Sequence, residues 1–572
     1  MATKNKKLKE SEMSDYLDHS YDSLFEESES DLNDVDISDM ESEYFDDLQS
    51  FAANPEEFAI DLEESADDPD TFDLLGPEQR RHGQERRQHG PEPALIRFFS
   101  NSDDAPNSDD ELEDEYHEVL QPEQSLPDPF PFLELPGPKN MPSADSQPID
   151  YFNLFFTVSL LSLMVAESNK YAKQVINGIG GEVPPYLQKF KKITINEIKG
   201  FLAVVFSMGL VKKSKIAKYW ATSGCTVTPW YGQMFSKHRF CHLLRFFHLV
   251  DNSKLPGRGE PGYDPRAKYQ PLEDHANRVF RHHYTPHQGI SVDETLVDTK
   301  NRTSILQYMP NKKHHKWGIK LWMLCDSISH YCLGFFTYRG AKSQAEKHSV
   351  SKFGVAYSVV MKLLEIGNYI NKGYHVFVDN YFMSVPLVCS LYSLKTYTTG
   401  TVRRNRKLLP PQLKGKFDVG QISYCRSGPI LACGLRERKT KIDPVILLSS
   451  HARARDVEIV RRGVAKSKPQ IVNSYNKFMG GVDVSDMMMY AYLDERRTVK
   501  YWKKIGIQQH PGHDVECYLL YKENSQSQGP AKIMCRLDFN EAVIERLAGQ
   551  WMEERRKELR EVVRPLKTPK DK

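Results

Sequence analysis

Paired cysteines are missing from this sequence. Its nine cysteines include no Cys-x-x-Cys pair, which argues against a disulfide scaffold and against a zinc ribbon. No zinc site is expected, and a reducing compartment is. A long apolar run is missing too. The most apolar stretch, residues 151–166, contains Asn153, Ser159 and Ser162. It is too short to span a bilayer and reads as one buried helix. The N-terminus is charged, so no signal peptide is visible. No membrane partner is expected.

Net charge is absent as well, with 77 basic and 77 acidic residues. That balance conceals a split. Residues 1–150 carry 42 acidic and 10 basic residues, a net of −32, which leaves 35 acidic and 67 basic residues, a net of +32, to residues 151–572. Such asymmetry indicates a polyanion-binding body behind an acidic tail. Nucleic acid is the natural partner, because phosphate neutralisation drives that kind of binding.

Residues 1–150 read as a disordered acidic tail. Its Asp/Glu/Ser-rich part and its proline-rich part, Pro122 to Pro148, bury too little apolar surface to offset the entropy of ordering. The acidic-aromatic alternation at Tyr21, Leu24, Phe25, Tyr44 and Phe45 fits either a solubilising tail or a segment for a chromatin or regulatory partner. Basic clusters at residues 4–9, 80–87 and 555–572 read as import signals, which makes the nucleus the expected location.

Residues 151–289 read as mainly helical. Thr194 and Glu197 form a capping-box pattern ahead of the apolar run 198–208, and Gly209 is a plausible stop. Residues 234–249 give a further helix with an apolar face and a basic side. Arg239 and Arg245 on that side either follow a DNA backbone or form an ordinary solvated face.

From Gly289 the pattern becomes strands: 290–297, 318–325 and 331–338. A helix follows at about 350–369, then a strand at 374–378 and a helix at 384–394. Three antiparallel strands, a helix and a strand open an RNase H-like fold, in which the first and fourth strands are neighbours. Asp293 and Asp379 therefore meet, though far apart in sequence. Buried carboxylates of this kind call for a partner or a cation. Glu294 points to the other strand face and is left out of the metal site. Residues 403–470 read as a basic insertion, with Arg403, Arg404, Arg406 and Lys407 either gripping phosphates or forming a solvated loop. Asp483 and Asp486, three apart, share a helix face directed at the sheet. Gly480 and Gly481 beside them allow a close approach or a bend. With Asp293 and Asp379, Asp483 completes a three-carboxylate set for two Mg²⁺ or Mn²⁺ ions, a recurring arrangement for phosphodiester displacement. Lys312 and Lys313, with His314 and His315, are taken as phosphate contacts or solvated surface. Cys325 with Cys332, and Cys425 with Cys433, are taken as buried thiols of hairpins.

In order, Tyr151-Phe-Asn-Leu-Phe-Phe-Thr, Met208-Gly-Leu-Val-Lys-Lys, Leu244-Arg-Phe-Phe-His-Leu-Val-Asp-Asn, Ser291-Val-Asp-Glu, Gln307-Tyr-Met-Pro, Lys316-Trp-Gly-Ile-Lys-Leu-Trp, Asp379-Asn-Tyr-Phe-Met-Ser-Val-Pro-Leu, Thr399-Gly-Thr-Val-Arg-Arg-Asn-Arg-Lys, Gly480-Gly-Val-Asp and Arg496-Arg-Thr-Val-Lys-Tyr-Trp resemble the blocks of piggyBac-type transposases and the domesticated proteins derived from them. The resemblance implies an α/β RNase H-like catalytic core (290–402 and 471–492) split by a β-rich insertion (403–470). It implies a flanking helical DNA-binding and dimerisation domain (151–289 and 493–572). Asp293, Asp379 and Asp483 match the family's catalytic, metal-holding aspartates, and Asp486 a further aspartate of its active site. The implied activity is two-metal DNA cleavage and transfer at TTAA sites by a homodimer.

Two departures stand against transposition. Only Cys517 and Cys535 follow Asp486, so the family's cysteine-rich terminal module is not visible. After Trp502, where the family has an apolar helix, Gly506, Pro511 and Gly512 are expected to break it. Two readings follow: a transposase-like enzyme, or a non-transposing DNA- or chromatin-binding regulator.

Overall fold

The computed structural model describes residues 116–563 apart from 125–128, 144, 189, 302, 310–315, 341–352, 438, 440–442, 462–463, 494–499, 509 and 527–532. The chain divides into two compact units. The described part of one lies within residues 173–192 and holds the end of the helix Val158–Asn177 and the single turn Pro185–Gln188. The other contains everything considered below except the last residues of that helix. Among the described residues no single helix is long and apolar enough to cross a membrane.

The proline-rich segment before residue 150 is not wholly disordered, contrary to its composition. Strand β1 (His117–Glu118) pairs with a sheet edge, and β2 (Gly137–Pro138) pairs with β3 (Tyr284–Thr285). Between them the chain is strapped down by a few side chains. Glu123 takes a two-pronged bond from Arg426. The Phe130 ring stacks on Tyr397 at 4.8 Å, and Phe132 meets Tyr374 edge-on at 5.0 Å. Glu134 binds Lys372 and the Tyr374 hydroxyl. Proline-rich extended chain has little entropy left to lose. Two phenylalanines and two anchored carboxylates therefore hold it.

Helices follow. The apolar run expected as one helix is two, α1 (Pro148–Phe155) and α2 (Val158–Asn177), bent by 61°. Helix α3 (Ile195–Leu210) starts at Thr194, whose hydroxyl accepts the Glu197 N–H at 3.2 Å. Only half of the capping box forms, because the Glu197 carboxylate turns to Arg239 instead. Next are α4 (Pro229–Met234), α5 (Lys237–Phe246), capped by Ser236, and α6 (Gln270–His283).

The main sheet has its centre in β4 (Gly289–Asp298), β6 (Trp317–Asp326), β7 (Cys332–Thr337), β8 (His375–Val378) and β9 (Tyr397–Val402), with the short β5 (Leu306–Tyr308) also on β6. The order β7-β6-β4-β8-β9 has its first three members antiparallel and β4, β8 and β9 parallel. Helix α7 (Val355–Gly367) links β7 to β8, and α8 (Val385–Ser393) links β8 to β9, as parallel crossovers require. The order and directions fit an RNase H-like core.

The basic segment expected as an insertion is not set apart from this sheet. Strands β10 (Ile422–Ser427), β11 (Ile430–Leu435) and β12 (Val445–Ser449) continue it outward from β9, and β1 closes their edge. Only the hairpin β13 (Asp456–Arg461) and β14 (Val464–Pro469) is separate. Helix α9 (Gln470–Phe478) then leads across Met479 and Gly480 into α10 (Gly481–Ala491). Pro511 and Gly512 do not interrupt a helix. They lie in the first turn of α11 (His510–Gln526), where proline has no N–H bond to lose. The irregularity falls earlier, at the π-helical Lys504–Gln508. The last helix, α12 (Arg536–Val563), packs on α3. Its Trp551 fills the place of a side chain at Gly200, where an added Cβ would stand 2.6 Å from the indole.

Candidate active site

Register explains why the first two aspartates meet. Val292 of β4 is aligned with Val378 of parallel β8, and Val378 with Gly400 of β9. The next residues along, Asp293, Asp379 and Thr401, therefore form one row across three strands spaced about 4.8 Å apart. Two residues back runs a second row on the same face, Ser291, Phe377 and Thr399. Helices α9 and α10 cover that face. Phe478 of α9 packs on Phe377 at 5.1 Å. At the head of α10, a Cβ on Gly481 would stand 2.3 Å from Ser291 Oγ and 3.0 Å from the Asp326 carbonyl. The close approach foreseen for the glycine pair belongs to Gly481; a Cβ added at Gly480 would meet nothing within 4 Å.

Asp483 follows in the first turn of α10 and is exposed. Its charge reaches Asp293, whose carboxyl is pushed up to about 8. Burial is the main cause, followed by Glu294, Asp379 and Asp483. Asp293 Oδ1 accepts the Glu294 N–H at 2.8 Å. Asp379 is also raised, by burial first, against the N–H groups of Tyr381 and Phe382 and the charge of Arg403. Its Oδ1 accepts the Tyr381 N–H at 2.9 Å.

Asp486 is placed differently. One turn further along α10, it acts on the buried thiols of Cys325 and Cys332, both raised chiefly by burial. Those cysteines are cross-strand neighbours of β6 and β7 and are free thiols, as are the buried Cys425 and Cys433. Glu294 lies on the opposite strand face, with Lys320 at 3.5 Å. The Lys320 ammonium sits 3.8 Å over the Trp322 ring, which stacks on Tyr381.

The basic residues divide. Arg403 is exposed beside the second aspartate, with Nε donating to Asn380 Oδ1 at 3.2 Å. Arg406 holds the same loop by donating to the Tyr381 carbonyl at 2.7 Å. Arg404 turns away to Asp443 and the Lys414 carbonyl. Lys407 is exposed and Arg245 half-buried. Arg239 is a correction: its guanidinium is not offered to a phosphate but grips Glu197 through two bonds of 2.6 Å, with side chains only 18% and 5% exposed. Helical periodicity puts it on the polar side, but Glu197 of α3 meets it there. Lys312 and Lys313, with His314 and His315, lie outside the described residues.

Sequence reasoning missed Tyr475 of α9. It is half-buried over the same row, its hydroxyl 3.4 Å from Thr401 Oγ1. Burial, together with Asp379, Asp293 and Asp483, raises its phenol. Only the pairing of β9 with β8 brings it there.

Among the described residues no three His, Cys, Asp or Glu side chains stand close enough together to hold an ion as placed. The donor set still fits a hard divalent cation. It is all carboxylate oxygen, and Asp293 and Asp379, raised by burial first and then by neighbouring carboxylates, are groups whose charged form a cation would favour.

Two aspartates brought together by strand register, a third carboxylate on a covering helix and a flanking arginine form one carboxylate site on a sheet whose order fits an RNase H-like core. The family model described as transposase IS4 matches residues 147–508, more than half of the chain. The chain belongs to this family, and within it to the piggyBac type. Human PiggyBac transposable element-derived protein 3 is 25% identical over 370 residues, which is 62% of this chain and 58% of that protein. Human PiggyBac transposable element-derived protein 2 is 24% identical over 390 residues, 64% of this chain and 60% of that protein. The chain thus spans less than two thirds of the curated relatives it matches. A cryo-EM structure of a piggyBac transposase synaptic complex with hairpin DNA superposes with a TM-score of 0.64 at 24% identity, covering 77% of this chain and 90% of that one. That likeness establishes the fold.

Proposed function

We propose that the protein is a piggyBac-type DNA strand-cleaving and strand-transferring enzyme, working in the nucleus as a homodimer on TTAA-flanked DNA. The observation that carries this reading is the alignment of Asp293 with Asp379 under the charge of Asp483. The solved piggyBac transposase is a synaptic complex with hairpin DNA, which supports DNA as the substrate here. The +32 net charge of residues 151–572 supports it independently.

Asp293, Asp379 and Asp483 are the residues to hold Mg²⁺ or Mn²⁺. Such ions, when bound, polarise a phosphodiester and activate water or a hydroxyl for in-line attack. The chain's own groups do the rest. The Glu294 and Tyr381 N–H groups fix one oxygen of each strand aspartate. Arg403 offers an exposed cation beside Asp379 to a DNA phosphate, and Arg406 holds the Tyr381 loop that carries it.

A second reading is a non-transposing DNA- or chromatin-binding regulator. The irregular π-helical turn Lys504–Gln508, where the family resemblance implies an apolar helix, favours it. A nicking assay separates the two. The purified full chain is incubated with labelled duplex DNA carrying TTAA ends and Mg²⁺ or Mn²⁺. Nicks in the wild type that disappear in Asp293→Ala support the enzyme. Binding without nicks under every metal condition supports the regulator.

A further inference from the structure

The Tyr475 ring packs against the apolar cluster that includes Leu431, Leu447, Ile471 and Val472, but that contact does not account for its hydroxyl. Thr401 ends the row Asp293–Asp379–Thr401 on the helix-covered face of the sheet. The Tyr475 hydroxyl reaches that row from α9, and its hydrogen-bond partner there is Thr401 Oγ1 at the long distance of 3.4 Å. A bond that long leaves most of the hydroxyl's donor capacity unused. The strand aspartates do not need it for orientation, because each already accepts a backbone N–H at 2.8 or 2.9 Å. The phenol is held neutral, by burial first and then by Asp379, Asp293 and Asp483. An ordinary phenol is a neutral donor in any case.

We propose that the Tyr475 hydroxyl binds the reacting phosphodiester, donating a hydrogen bond to a non-bridging oxygen of the phosphate attacked at the Asp293–Asp379 pair. The role rests on the strand-cleavage reading above. Its chemistry follows from the surroundings. Carboxylates repel a phosphate, and Arg403 is the exposed cation on the loop side of Asp379. Tyr475 and Thr401 bound the same aspartate along the β9 side. A neutral donor there aids charge that develops on the phosphate without competing for the cation.

The test compares the full-length wild type with Tyr475→Phe, which keeps the ring and removes the hydroxyl. Single-turnover nicking of TTAA-ended duplex DNA is measured with Mn²⁺, and binding of the same DNA with Ca²⁺. The expected result is a nicking rate about tenfold to a hundredfold lower, with DNA affinity and melting temperature unchanged. Replacing the reacting phosphate by a methylphosphonate, which removes a non-bridging oxygen, is expected to shrink that difference for the isomer lacking the contacted oxygen. Equal rates on the natural phosphate overturn the role. So does an equal loss on the phosphate and on both methylphosphonate isomers, or a lowered melting temperature that accounts for the loss. A wild type that cuts no DNA overturns it together with the strand-cleavage reading, whereas a cutting wild type matched by Tyr475→Phe overturns this role alone.

Discussion

Gly481 and Ser291 touch, backbone to side chain, at the junction of α10 and β4: a Cβ at 481 would lie 2.3 Å from Ser291 Oγ. Two residues beyond each stand Asp483 and Asp293. The contact therefore sets the height of the third carboxylate above the first. Gly481→Ala is expected to lift α10, with a loss of about 1–3 kcal/mol of stability and a larger loss of nicking. Gly480→Ala, with nothing within 4 Å of its Cβ, is the control. Thermal melts of the two variants check this; equal melting temperatures contradict it.

Arg239 and Glu197 form a two-pronged ion pair between α5 and α3. Removing one partner strands a largely buried charge. Arg239→Ala is expected to cost about 3 kcal/mol in a denaturant melt and to leave the salt dependence of DNA binding unchanged. A variant of normal stability with a weaker salt slope would return Arg239 to the DNA surface.

Arg426 is 9% exposed and holds Glu123 in the strap before α1. Arg426→Ala is expected to release residues 116–142, so that limited proteolysis cuts there at a protease dose that spares the wild type. Identical digestion patterns argue that Phe130 and Phe132 suffice.

Asp293 is pushed up to about 8 from an ordinary 3.8. The folded chain therefore keeps a proton that the unfolded chain gives up, and stability from this group falls as pH rises from about 4 to 8. Asp293→Asn removes the dependence. In EDTA its melting temperature is expected to exceed that of the wild type by a margin that grows between pH 5 and pH 8. A constant or shrinking margin contradicts the buried-carboxylate account.

Local patterns made part of this legible. Short β-branched runs announced β4 and β8, and strand alternation set Asp293 apart from Glu294. Their meeting required only the topology that three antiparallel strands, a helix and a strand imply. Partners decided elsewhere were not legible. Arg239 lies on a polar helix side whether solvent or Glu197 faces it. The strap looks like disordered chain until Phe130 finds Tyr397. Tyr475 acquires meaning only when β9 is aligned with β8, a relation no single segment encodes. The basic segment after Thr401 reads as an insertion in sequence, and only strand pairing reveals that β12, β11 and β10 extend the sheet.

The central claim is that carboxylates aligned by register share a divalent cation. A structure of the full chain soaked in Mn²⁺, with the ion located by its anomalous scattering, tests it most directly. The account predicts a peak bridging the side chains of Asp293 and Asp379, within reach of Asp483 and lost in Asp379→Ala. A saturating soak that leaves these three side chains without a shared ion contradicts it.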